Sequence, residues 1–93
     1  MIGILATLKI KEGTYADFEA IAKQLVEKVN AEEEGALYYD LYKQDDTTYL
    51  FFEKYVDEAA LKVHQGTEHY KSLGGQLGAF MAGRPEIKVL QLV

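Results

Sequence analysis

Two histidines and one strand glutamate are the residues of this chain best placed to move protons. His64 follows Ala60 and Leu61 by four and three residues, so in a helix it shares their apolar face. Glu53 lies on a stretch, Tyr49 to Val56, in which Tyr49, Phe51, Glu53 and Tyr55 alternate with Leu50, Phe52, Lys54 and Val56. Read as a strand, that stretch sets a carboxylate among aromatic rings, where it must be paired, hydrogen-bonded or held neutral. If the helix packs on the sheet, His64 approaches Glu53. Such a pair would fix the imidazole tautomer and raise its pKa. His64 then reads as a base, Glu53 as its orienting partner, and Tyr55 as a wall and hydrogen-bond donor. A core histidine bonded to a backbone carbonyl would show the same spacing.

The elements that position these residues are legible along the chain. Met1 to Ile10 alternates as a strand, with Ile2, Ile4, Ala6, Leu8 and Ile10 on one face. After Gly13, Thr14-x-x-Asp17 resembles a capping box. Phe18, Ile21, Ala22, Leu25 and Val29 then give a helix its apolar stripe. That helix fades between Asn30 and Glu34, and Glu32-Glu33-Glu34 reads as a solvated end. Ala36 to Lys43 is a second strand, with Leu37, Tyr39 and Leu41 opposite Tyr38, Asp40 and Tyr42. A polar turn, Gln44 to Thr47, leads into a third strand from Thr48 to Val56. Asp57 caps a helix to Gln65, Gly66 breaks it, and Thr67 caps a further helix through Met81. Gly83 to Pro85 stop the helix, and Glu86 to Val93 form a last strand.

This order predicts an α+β, ferredoxin-like βαββαβ domain over residues 1–93. Its four-stranded antiparallel sheet carries the helices on one face. The middle strands are apolar on both faces, whereas antiparallel sheets usually keep one face polar. A homodimer closed by sheet-on-sheet packing resolves that conflict.

Several function classes are excluded or weakened. The chain has 93 residues, no Cys and a net charge of −5 with a single Arg. Thiolate zinc sites, disulfide scaffolds and cysteine nucleophiles are absent, and a nucleic-acid footprint is not expected. No apolar run is long enough to span a bilayer, and no basic stretch precedes the N-terminal apolar run, so a cytoplasmic location is expected. His64 and His69 stand five apart, on different sides of a regular helix, which does not fit a helical zinc motif. A break at Gly66 could bring them together, but no third ligand is obvious, and His69 reads as exposed or as supporting another group. Gly74, Gly75 and Gly78 follow helical residues rather than a strand and form no dinucleotide fingerprint. No cofactor and no metal are expected. Tyr39, Phe51, Tyr70 and Phe80 are candidates for lining a substrate pocket.

The full chain resembles the antibiotic biosynthesis monooxygenase family of dimeric α+β barrels. The resemblance rests on Glu34-Gly35-Ala36-Leu37-Tyr38-Tyr39-Asp40-Leu41, on Phe51-Phe52-Glu53-Lys54-Tyr55-Val56-Asp57-Glu58-Ala59-Ala60, and on His64-x-x-Thr67-x-His69-Tyr70. It implies a cofactor-independent monooxygenase that oxidises a small quinol or phenol with molecular oxygen. Haem-degrading enzymes of the family look as if they need an Asn on the first strand, a Trp on the third and a later His. Here Ala6 and Thr7 stand on the first strand, Tyr55 replaces the Trp, and no His follows Tyr70, which disfavours haem degradation. Two alternatives remain: an isomerase of a small polar carbonyl compound using the same His–Glu pair, and a non-catalytic small-molecule-binding dimer. A dry aromatic pocket favours the oxygenase, a wet basic one the isomerase, and a self-filled one the binding protein.

Overall fold

The computed structural model describes all 93 residues, Met1–Val93. The elements run β1 (Ile2–Lys9), α1 (Tyr15–Glu32), β2 (Ala36–Lys43), β3 (Thr48–Tyr55), α2 (Glu58–Gly66), α3 (Glu68–Leu77), a 3-10 turn (Gly78–Phe80) and β4 (Glu86–Gln91). The sheet order is β2-β3-β1-β4, and every pairing is antiparallel. This is the expected ferredoxin-like arrangement. No helix is long and apolar enough to cross a membrane.

Alternation along β1 sends Ile2, Ile4, Ala6 and Leu8 to one face, and all four are buried. The stripe of α1, Phe18, Ala22, Leu25 and Val29, packs with Ala6 and Leu8 and with Tyr39, Tyr49, Phe51 and Leu77. A second cluster, Ile2, Ile4 and Tyr55, takes its cover from Ala60 and Leu61 of α2. The α2 face that carries His64 therefore packs on the sheet, as its spacing predicts.

Three local details depart from the sequence reading. The Thr14 side chain makes no capping bond. Its hydroxyl instead donates to the Lys11 carbonyl at 2.7 Å, closing the turn before α1. The register of β2 on β3 shifts between Ala36 and Tyr38. An extra residue there reverses the side-chain alternation. Ala36 and Tyr39 both face the core, while Leu37 is left exposed. The last helix ends at Leu77 and tightens into the 3-10 turn, so Met81 is free to bridge to Ile10.

The sheet face away from the helices has no cover. Leu37, Tyr38, Tyr42, Phe52 and Leu90 are each about 40–50% exposed, a contiguous apolar surface across the strands. Tyr42 and Phe52 meet edge to face there at 5.0 Å.

Candidate active site and a buried histidine–glutamate–histidine cluster

His64 is buried, but its partner is not Glu53. Its Nδ1 lies 2.9 and 3.0 Å from the two carboxylate oxygens of Glu33. The expected His64–Glu53 pair is corrected accordingly. Glu33 is the C-cap of α1, and its backbone N–H donates to the Val29 carbonyl at 3.0 Å. It was read as part of a solvated run, yet it is buried while Glu32 and Glu34 on either side are exposed. The approach of α2 explains the difference. A Cβ on Gly35 would stand 2.5 Å from the Ala60 Cβ. Lacking one, Gly35 lets α2 close onto the end of α1. His64, one turn after Ala60, is then delivered to Glu33.

The break between α2 and α3 completes the cluster. The Thr67 side chain accepts from the Tyr70 N–H and its hydroxyl donates to the His64 carbonyl. Its extended backbone turns α3 away from α2. His69 thereby returns to Glu33, with Nε2 at 2.5 Å from Oε2. Spacing on a continuous helix separates the two histidines. The break unites them, and Glu33 is the third polar group that the sequence left unnamed. Its only local signal was position, an acid two residues before a glycine at a strand start.

His64 also anchors three aromatic rings. Tyr70, Tyr39 and Tyr55 have ring centroids 4.7, 5.2 and 5.4 Å from the imidazole. Burial pushes the His64 pKa below its ordinary value, opposed by the hydrogen bond and charge of Glu33 and helped by His69. The expected rise is therefore not found, because desolvation of the imidazolium outweighs the carboxylate.

Glu53 stands on the same sheet face and accepts the Tyr55 hydroxyl at 2.7 Å. Burial pushes its carboxyl up to about 7, the Tyr55 hydrogen bond pulls the other way, and the charge of Glu33 adds to the rise. Glu53 lines a cavity of about 400 Å³ between the sheet and α3. Tyr39, Phe51 and Tyr70 line it as well, with Leu25 and Leu77 among its apolar walls and Lys71 as its one cation. Tyr39 is held protonated by burial and by the nearby charge of Glu53. No fully buried polar side-chain atom in the chain lacks a hydrogen-bond partner. Tyr39 lines the cavity, and its hydroxyl is not among the fully buried atoms that lack a partner.

Of the expected pocket residues, Phe80 is not in the wall. It sits in the 3-10 turn, packed on the main core, and its carbonyl accepts the Lys11 N–H at 2.8 Å. His64 and Tyr55 also lie one layer behind the lining. The cavity can thus offer an apolar seat, a carboxyl group that titrates near neutrality and a tyrosine hydroxyl donor.

The family profile described as antibiotic biosynthesis monooxygenase matches residues 1–73, a span that holds Glu33, Glu53, His64 and His69. The chain belongs to the antibiotic biosynthesis monooxygenase family. A relative within reach of sequence comparison is YcnE of Bacillus subtilis (strain 168), a monooxygenase by name alone. It is 37% identical over 73 residues, covering 76% of each chain. A crystal structure from Caulobacter crescentus CB15, also assigned to the family by name, superposes with a TM-score of 0.93 at 40% identity. It covers 99% of this chain and 89% of its own. Rv0793 from Mycobacterium tuberculosis superposes at 0.91 with 24% identity, covers 99% and 94%, and supports the fold alone. Family and named relatives together support a monooxygenase-type function.

Proposed function

We propose that this antibiotic biosynthesis monooxygenase family member oxidises a small quinol or phenol with molecular oxygen and needs no cofactor. The observation that carries the reading is the place of Glu53, a carboxyl group in the wall of an apolar, tyrosine-lined cavity, where burial pushes its pKa up to about 7. A proton acceptor works best when its pKa lies near the working pH. Glu53 takes the phenolic proton, and the Tyr39 hydroxyl donates to the oxyanion that results. The anion is electron-rich enough to pass one electron to oxygen, and the radical pair recombines at a ring carbon. Loss of water leaves one oxygen atom on the ring as a quinone carbonyl and the other in water.

The roles assigned from sequence change places in this reading. Glu53, facing the cavity, is the acceptor. His64, clamped by Glu33, is a positioning residue that holds the rings of Tyr39, Tyr55 and Tyr70. The cavity is mostly apolar, with Lys71 its single cation, which favours an aromatic substrate over the small polar carbonyl compound an isomerase would take.

We infer also that two chains pack through their uncovered sheet faces. The support is the row of exposed Leu37, Tyr38, Phe52 and Leu90, and a groove of about 610 Å³ that runs along them. Apolar surface of that extent usually marks an interface.

Oxygen uptake with a panel of dihydroxynaphthalenes and quinols tests the reaction. Wild type should consume oxygen above buffer, and Glu53→Gln should lower turnover about a hundredfold while leaving the fold intact. No uptake across the panel would pass the site to the isomerase or binding reading. Full activity in Glu53→Gln with loss in folded His64→Ala would return the acceptor role to His64.

A further inference from the structure

We propose that Glu33, His64 and His69 form a binding site for one divalent transition-metal ion of the zinc class. The site is separate in space from the Glu53 cavity, because none of the three lines it.

The donor set is two imidazole nitrogens and a carboxylate, all within 4.8 Å of one another. Those ligand types suit zinc, cobalt and ferrous iron, and three protein ligands leave a position for water. Each ligand comes from a different element: the end of α1, the last turn of α2 and the first turn of α3. Their side chains are only 5%, 2% and 10% exposed. The carboxylate has no lysine or arginine partner, and its ion-pair contacts are the two imidazoles alone. A buried carboxylate without a permanent cation is costly, and a bound dication would offset that cost.

The present spacing is tighter than an ion would impose. His64 Nδ1 and His69 Nε2 stand 2.9 and 2.5 Å from Glu33 Oε2. Bonds of about 2.0–2.1 Å at tetrahedral angles set ligand atoms about 3.3 Å apart. Each tip must therefore withdraw by less than ~1 Å. The joint at Gly66 and Thr67 lies between the two histidines, so they sit on separate helices and not on one rigid helix.

An approach for the ion is also present. A surface depression of about 370 Å³ is lined by Glu32, Glu33 and Glu34 beside Gly35 and Ala60. The two flanking carboxylates are exposed and would raise the local concentration of cations at the mouth. Coordination through Nδ1 would leave the hydrogen of His64 on Nε2.

The test uses the full chain, freed of metal by a chelator and then dialysed. Cobalt(II) and zinc are titrated in separate experiments. The expected results are one ion per chain, a tetrahedral cobalt absorption band, and zinc-induced shifts of the imidazole nitrogens of both His64 and His69 in NMR spectra. Glu33→Gln and His69→Ala should each weaken zinc binding at least about tenfold. Glu32→Gln should retain one ion per chain. Unshifted imidazole nitrogens at saturating zinc, or zinc affinity that survives His69→Ala, would overturn the proposal. The cluster would then be a hydrogen-bonded hub and any zinc would sit on surface carboxylates. The NMR readout needs only wild type, so a variant that fails to fold does not blunt the test.

Discussion

The hydroxyl of Tyr55 donates to Glu53 at 2.7 Å, two residues back along the same strand face. A side chain that favours the ionised carboxylate thus sits beside a site whose burial favours the protonated acid. The balance of those two effects sets where Glu53 titrates.

Oxygen-consuming activity should therefore follow the carboxylate form of Glu53. The rate should fall as pH drops through about 7, the position of the Glu53 carboxyl. In Tyr55→Phe the stabilising hydrogen bond is gone, so the midpoint should move above that value. The check is the pH dependence of kcat/KM for the two proteins. An unchanged midpoint would detach Glu53 from the limb.

Stability should respond to the same group with a definite sign. The ordinary carboxyl value is 4.5 and the folded value is about 7, so the folded chain holds this proton more tightly. Its contribution is fully present below the lower value and is lost as pH rises through the upper one. Glu53→Gln remains neutral throughout. Relative to wild type, the variant should gain on the order of 2 kcal/mol between pH 4.5 and 8. Urea unfolding of both proteins at the two ends of that range measures the gain.

The contact between Gly35 and Ala60 gives a paired prediction. Gly35→Ala places a methyl group 2.5 Å from the Ala60 Cβ and should cost roughly 1–3 kcal/mol through overpacking. Ala60→Gly alone should be mildly destabilising, because it sits within α2. The double variant should recover part of the loss, as coupled neighbours do in a mutant cycle. Simple additivity in denaturant melts would count against a direct contact.

Phe52→Glu puts a charge in the middle of the uncovered sheet face. Sedimentation of the wild type at low micromolar concentration should give twice the chain mass, and the variant should give a monomer of unchanged circular dichroism. A wild-type monomer would leave the exposed apolar row without a second sheet.

The strands, the helix order and the caps at Asp57 and Thr67 were legible because each is a local pattern: period two, period 3.6, or a polar residue ahead of an apolar run. The burial of His64 was legible for the same reason. Its partner was not. Glu33 lies 31 residues away in sequence and sits in a run of three acids that looks like solvated charge. Only the approach of α2 at Gly35 separates it from its neighbours. The β2 irregularity was equally hidden, because strict alternation groups Leu37 with Tyr39 and Leu41, and only the register shift between Ala36 and Tyr38 turns Leu37 out. Phe80 illustrates the opposite failure. Its aromatic character fitted a pocket, but the 3-10 turn points it into the core.

The end of α1 carries a cost that bears on any attempt to improve this protein. Glu32, Glu33 and Glu34 gather where a helix already presents its negative pole, and the last turn contains no basic residue. Helix dipoles favour lysine or arginine at that end by about 0.3–1 kcal/mol per charge. A designer seeking thermostability would replace Glu34 with lysine and gain a little. The same substitution would turn the mouth beside Glu33 from attracting cations toward repelling them. Stabilising variants chosen by melting temperature alone should therefore accumulate at this helix end and lose affinity for divalent ions, a trade between robustness and ligand capture written into a single turn.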